Sequence, residues 1–530
     1  MSKNVFFTLC IALVVWSCAK RGHITGGEVD IYPPKILKTT PENFSTNFNA
    51  KEIVIVFDEY VKLKDVNKQL IVSPPLKYRP EITPYTASKQ IKIRLRDTLQ
   101  PNTTYSFNFG QSIEDNNESN KLRGFKYVFS TGSYIDSLSL SGFVKDALEK
   151  ETESYVSVLL YEVNEQFNDS IVYKENPRYV TTTMDSTTSF TLENLKEGNY
   201  LLVALKDQNN NFRFDPQHDK IGFHNEIISV PTEENFKLEL FKEVLDFKPI
   251  RAFEAANNKI ILAYEGNAEK AQIELRNGNE KLETRITPLP ERDSLQIWYR
   301  PLETDSLHLM VRNDTLEKSF TVKLKEKKTD TLVVSPKFPR TLGFRDKAAI
   351  EFSTPLENFD SSKMKIYKDS VEIKWEATYV NNKQSFEEFI FEREEKQKYT
   401  FLMLPEAVTD FFGQTNDTLK VDFSTKNYSD FGNLKVVLQN VKEFPVIVQL
   451  TDNKGKVVAE QYSEEENTAE FMLLNPAVYT LRVIYDSNKN QIWDTGNYLK
   501  KIQPEKVVYY PEPIDVRANW DIEQTFILRE

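Results

Sequence analysis

Short runs in which apolar and polar residues alternate, each closed by Pro, Asn, Asp or Gly, dominate this chain. They include KEIVIVFDEYV (51–61), KQIKIRLRD (89–97), YSFNFGQSI (105–113), YVSVLLYEV (155–163) and NYLLVALKD (199–207). A period of two puts every second side chain on one face, and the β-branched and aromatic bias suits a pleated surface. Such strands are stable only when that face is covered, so a spacing of roughly ten residues predicts antiparallel sheets stacked in pairs. Sustained helical periodicity is scarce. The expected fold class is all-β: tandem antiparallel β-sandwiches. Apolar residues form 40% of the 530 and aromatics 12%, enough to fill several such cores.

The module order is duplicated. Tyr105-Ser-Phe107 returns as Tyr399-Thr-Phe401, and Phe129-Ser-Thr131 as Phe423-Ser-Thr425, both at an offset of 294. Phe57 has a counterpart in Phe352, and Asp115 in Asp410, at 295. Tyr200-LLVALK-Asp207 returns as Tyr479-TLRVIY-Asp486 at 279. Self-similarity at fixed spacing is the mark of repeated structural units. The boundaries expected are a leader at 1–17, a tether at 18–32, and modules at 33–132, 133–248, 249–328, 329–426 and 427–530. The middle module has no counterpart.

The leader MSKNVFFTLCIALVVWSC carries Lys3 and then an apolar run from Val5 to Trp16. That run is shorter than the roughly 20 residues needed to cross a bilayer and fits a secretory signal. Val15-Trp16-Ser17-Cys18 resembles the lipobox of bacterial lipoproteins. The resemblance implies cleavage after Ser17 and acylation of Cys18, hence a membrane partner reached through a lipid anchor. Lipoproteins exported to the surface of Bacteroidetes often carry acidic residues next. Here Ala19-Lys20-Arg21 follows, which favours the periplasmic leaflet of the outer membrane over the cell surface. The Gly-Gly and Pro-Pro stretch before residue 35 reads as a flexible tether.

Residues 33–132 resemble the bacterial Ig-like domain of surface-layer proteins and Bacteroidetes lipoproteins. The matching features are Pro33-Pro34, IVIVFDEYVKL, Ser73-Pro-Pro75, Leu99-Gln-Pro-Asn-Thr-Thr-Tyr105 and the closing Phe129-Ser-Thr-Gly132. Residues 333–426 look like a divergent copy. Leu138-Ser-Leu-Ser-Gly142-Phe-Val-Lys-Asp146, Phe190-Thr-Leu-Glu-Asn-Leu195 and Phe471-Met-Leu-Leu474 are similar to the transthyretin-like or carboxypeptidase-regulatory-like sandwich. These resemblances imply folds and no activity.

One loop recurs with oxygen side chains at positions 1, 3, 5 and 9. It is Asp207, Asn209, Asn211 and Asp215 in the first copy, with Asp219 beyond, and Asp486, Asn488, Asn490 and Asp494 in the second. This spacing wraps a hard cation such as Ca²⁺, with the position-7 carbonyl (Arg213 or Ile492) as a further ligand. The loops lack the glycine at position 6 and the bidentate glutamate at position 12. That predicts a weak structural site, with Kd on the order of 10⁻⁴–10⁻³ M. A metal-free alternative stays open, because Asp and Asn bond their own backbone in tight connections.

Function classes narrow by exclusion. A net charge of −11 without a basic run argues against nucleic acid. Beyond the leader no apolar stretch is long enough to span a membrane, and the chain has only Cys10 and Cys18, so the body holds no disulfides. No metalloprotease, phosphate-loop, nucleophile-elbow or dinucleotide motif occurs, and His23, His218, His224 and His308 read as structural or solvated. Ten triplets of Asp, Ser or Thr, and then Leu, Ile, Val or Thr, such as those at Asp97, Asp136 and Asp293, resemble the O-glycosylation acceptor of Bacteroidetes envelope proteins. Strand-entry turns explain the same triplets. Trp298-Tyr299 and Tyr509-Tyr510 read first as core and second as a sugar platform. The expectation is a non-catalytic cell-envelope lipoprotein, a structural or binding stalk whose partner is an envelope protein or glycan. A glycan-binding lipoprotein of a polysaccharide-uptake system is the alternative, and a hydrolase a remoter one.

Overall fold

The computed structural model describes residues 29–183, 187–289, 292–314, 316–325, 327–379 and 386–529. Cys18 and the leader lie outside them. Among the described residues the α-helices are single turns, Val66–Gln69 and Ile171–Lys174, and the rest of the regular structure is almost wholly strand.

In the first Ig-like module the long strand Glu52–Leu63 alternates as its sequence dictates, burying Ile53, Ile55 and Phe57. It pairs antiparallel with Ile36–Thr40, Ser88–Arg94 and Ile113–Asp115. The facing sheet joins Ile71–Ser73, Thr104–Asn108 and Lys126–Ser130. Across it Tyr105 is in register with Phe129, their rings stacked at 5.5 Å and 19°. The second copy reproduces this: Tyr399 faces Phe423, stacked at 5.5 Å and 15°. Each tyrosine hydroxyl accepts from a backbone N–H five residues upstream, Gln100 or Glu394, at 2.9 Å. The 294-residue offset therefore preserves a ring pair and its polar tether.

The two transthyretin-like modules share one topology, a three-stranded sheet facing a five-stranded one. Tyr200 and Tyr479 each donate to a carbonyl four residues back, Lys196 at 3.0 Å and Asn475 at 2.7 Å. One feature departs from the antiparallel expectation. Leu138–Asp146 pairs in parallel with Asn235–Leu240, and Gly432–Gln439 with Asp521–Ile527. The last strand returns to the first, so the sheet closes on an edge that a hairpin cannot reach. At this closure a Cβ on Gly142 would lie 2.3 Å from the Phe236 carbonyl oxygen, which is why glycine stands there. The middle module stacks two four-stranded sheets around Ile260, Leu262, Ile297, Leu307 and Leu309.

The modules do not run as an extended stalk. The middle module meets the second Ig-like module where the Arg285 and Arg300 guanidiniums lie 4.8 and 4.6 Å from the Phe411 ring centre. That module meets the second transthyretin-like module through Phe344, stacked on Tyr428 at 4.6 Å. The second transthyretin-like module then packs back on the first. Four modules thus form a closed circuit of contacts. The first Ig-like module joins that circuit through Thr104, whose hydroxyl donates to Asp136 at 2.8 Å, and through Arg178 with Gln100. Sequence neighbours predicted a string, whereas apolar surface on the two homologous modules is buried by mutual docking.

Candidate functional site

The two acidic loops converge on the interface that closes the circuit. Each follows the central strand of its module, Gly198–Lys206 or Ala477–Tyr485, so the strand's direction fixes where the loop emerges. Phe212 and Phe214 of the first loop pack with Phe223, Phe241 and Tyr173 of their own module. Tyr498 and Trp493, from the second loop and the segment after it, complete that cluster. Tyr498 is wholly buried, 5.2 Å from Phe223 in an edge-on contact. Polar contacts ring it: Tyr498 N–H donates to Glu243 at 2.6 Å, Thr495 Oγ1 to the Lys242 carbonyl at 2.7 Å, and Lys501 pairs with Asp169 at 2.5 Å. A second contact fixes the other side. Arg482, almost wholly buried, donates to the Leu148 carbonyl at 3.1 Å and to the Tyr509 hydroxyl at 3.1 Å, and Tyr509 in turn donates to Leu148.

Within the first loop, Asp207 Oδ2 accepts from Phe212 N–H at 2.7 Å, Asn211 Oδ1 from Arg213 N–H at 2.9 Å, and Asp215 Oδ2 pairs with His218 Nδ1 at 2.8 Å. Asp219, fully buried, accepts from Gln208 N–H at 2.9 Å through one oxygen and from Asp215 N–H at 2.8 Å through the other. It is a brace across loop positions 2 and 9. The second loop has the same brace from a different place. Glu505 accepts from Ser487 N–H at 2.7 Å and Asp494 N–H at 3.2 Å. Sequence reasoning missed Glu505 because it lies 19 residues after the loop begins, against 12 for Asp219. The signal that could have found it is an acidic residue just before the return strand of each copy, Lys220–Phe223 or Val507–Tyr509.

The two loops differ in what they offer a cation. Asp207 Oδ1 is buried without a hydrogen-bond partner. Burial pushes the Asp207 carboxyl above its ordinary value, with the neighbouring Asp219 charge acting the same way, against the Phe212 N–H bond. Among the Asp207, Asn211, Asp215 and Asp219 side chains of this loop, Asp207 Oδ1 is the one acceptor that is both buried and unpartnered. In the second loop both Asp486 oxygens accept backbone N–H groups of Asn490 and Gln491, at 3.2 and 2.8 Å. The Asn488 and Asn490 side-chain amides donate to Asp494 at 2.6 and 2.7 Å.

Other sequence candidates fall into structural places. Trp298 and Tyr299 are fully buried, so they form core and not a sugar platform. The His224 N–H donates to Leu202 at 3.1 Å, and His308 lies 3.4 Å from the Thr321 hydroxyl. Among the triplets, Thr98 and Ser137 are exposed, whereas Ser294 is buried in a strand. Among the described residues no group of three His, Cys, Asp or Glu side chains is placed to hold a metal.

Residues 30–131 match the family model described as a bacterial Ig-like domain. Residues 148–246 match one described as an uncharacterized protein conserved in bacteria (DUF2141). No curated protein sequence matches the chain. Similar solved structures include tandem domains of titin, at 12% identity over 52% of this chain and 97% of that one (TM-score 0.14). The major pilin subunit of Bacillus cereus is similar at 11% identity over 74% of this chain and 99% of that one (TM-score 0.14). Surface layer protein SbsC, domains 1–6, is similar at 11% identity over 91% of this chain and 67% of that one (TM-score 0.16).

Proposed function

We propose that this chain is a lipid-anchored, non-catalytic scaffold of the bacterial envelope, held by Cys18 and presenting a braced set of β-sandwiches to an envelope protein or glycan. The observation that carries it is the return docking of the second transthyretin-like module on the first. A protein built only to span distance has no use for that contact, whereas one that holds surfaces in fixed relation does. The anchor itself rests on the lipobox resemblance. Several acyl chains, at about 0.8 kcal/mol per buried methylene, would make such an anchor stable. Protease shaving of intact cells, with lysed cells as control, tests the location. Survival until lysis is expected for the periplasmic leaflet, and loss from intact cells would place the scaffold outside. Cys18→Ala should abolish incorporation of labelled palmitate; labelling that persists would remove the anchor from this reading.

We also assign a weak Ca²⁺ site to the first loop. Calcium in tenfold to hundredfold excess over Kd should stabilise the chain by about 1.4–2.7 kcal/mol, read as a higher melting midpoint than in chelator. Asp207→Asn should abolish that increment. In chelator the same variant should melt higher than the wild type at neutral pH. A carboxyl held above its unfolded value stabilises the fold while protonated, and that contribution is lost as pH rises through its folded value. A wild-type midpoint indifferent to calcium would leave the loop a metal-free turn.

A further inference from the structure

A cleft of about 560 Å³ opens at the seam between the first Ig-like module and the first transthyretin-like module. It falls within the usual range of ligand sites, roughly 300–1,000 Å³. Its walls come from residues 66–85 of one module and from 155–182 and the tip of the first acidic loop in the other. Three features distinguish it from an ordinary seam.

The first is charge. Lys68, Lys77, Arg79 and Arg213 line the cleft against a single carboxylate, Glu81, which Arg96 already holds at 2.7 Å. Among the described residues none of these four cations is in an ion pair. Four uncompensated positive groups in one cleft of a chain with net charge −11 make a local field opposite to that of the whole molecule.

The second is aromatic exposure. Tyr85, at 87% exposure, and Tyr155, at 47%, stand on opposite walls.

The third is backbone conformation. Tyr155, Asn210 and Phe212 all line the cleft with φ of 58°, 52° and 57°. At Asn210 and Phe212 the conformation belongs to the loop itself, since Lys489 and Gln491 repeat it in the second copy, whereas at Tyr155 a bulky residue holds a region it rarely adopts. Arg79 bridges the walls, donating to the Asn67 and Asn210 carbonyls at 3.4 Å each, and so ties the loop to the opposite module.

We propose that this cleft binds an acidic oligosaccharide, one bearing uronic-acid carboxylates. Tyrosine rings present a negative π face to the polarised C–H groups of a pyranose, and guanidinium forks pair with its carboxylates in two-point fashion. An extended acidic peptide would match the charge, but it offers no flat apolar face to the two exposed rings. The cleft goes beyond the scaffold reading. Shaving and palmitate labelling test the anchor, and they do not depend on whether the cleft is filled.

The test is calorimetric titration of the purified full chain with trimers of galacturonate, of mannuronate–guluronate and of a glucuronate-containing oligosaccharide. Maltotriose and hexaglutamate serve as the neutral and peptide probes. At least one uronate trimer should bind, more weakly as salt rises, while maltotriose and hexaglutamate do not. Tyr85→Ala, at a site too exposed to affect folding, should weaken binding about tenfold, and Arg213→Gln comparably. Failure of all three uronates, equal binding of hexaglutamate, or unchanged affinity in Tyr85→Ala would each overturn the assignment.

Discussion

Tyr498→Ala should release the second transthyretin-like module from the first while leaving both modules folded. The side chain is wholly buried in a cluster drawn mostly from the partner module, between Phe223 and Tyr173. Truncating a buried aromatic costs about 3–5 kcal/mol, and interdomain contacts of this kind have little stability in reserve. The expected result is a larger radius of gyration in solution scattering, with new protease cleavage within residues 495–505. Wild-type dimensions and protection in the variant would remove Tyr498 as the closing contact. Its hydroxyl is buried without a hydrogen-bond partner. Tyr498→Phe should therefore keep the docked form at equal or slightly greater stability, since an unsatisfied polar group leaves with no bond lost. That pair of variants separates loss of packing from loss of a polar contact.

The second large effect is expected at the loop braces. Asp219→Asn turns one of two acceptor oxygens into a donor that faces a backbone N–H, of Gln208 or Asp215. A buried donor left unsatisfied costs about 1–3 kcal/mol, more where the lost acceptor was charged. The loop carries Phe212 and Phe214 into the docking cluster, so the damage should spread from the loop to the interface. Hydrogen exchange should show the amides of Gln208 and Asp215 losing protection, together with the segment around Tyr498. Glu505→Gln should do the same to Ser487 and Asp494. Exchange unchanged in Asp219→Asn would mean that the loop is held by its Asx turns alone, and the braces would lose their role.

These braces show how far a linear reading of the chain reaches. Asp207, Asn209, Asn211 and Asp215 were visible because a loop keeps its spacing when the strand before it is kept. The same spacing suits a cation and a set of self-bonded turns, since both need oxygens at alternate positions facing inward. The spacing does not show how the oxygens are used: Asp207 Oδ1 is unpartnered, whereas both Asp486 oxygens accept backbone N–H groups. Glu505 stayed hidden because the copies place their bracing carboxylate at different distances along the chain, although it reaches the same two amides. The cleft was hidden for a similar reason. Its four cations are scattered from Lys68 to Arg213 across two modules, and none stands in a charge run.

What the sequence by itself determined is local and periodic. Alternation fixed which face of each strand is buried, as in Ile53, Ile55 and Phe57, because the side-chain period of a strand is two regardless of what covers it. The offset of 294 carried the Tyr105–Phe129 pair into Tyr399–Phe423, because a cross-strand pair persists when both strands and their connections do. The tertiary structure alone decided which edges meet. The parallel return strands and the docking of Tyr498 join residues far apart in the chain. Such contacts are chosen by the total apolar surface removed from water, a sum over whole modules that no local pattern records.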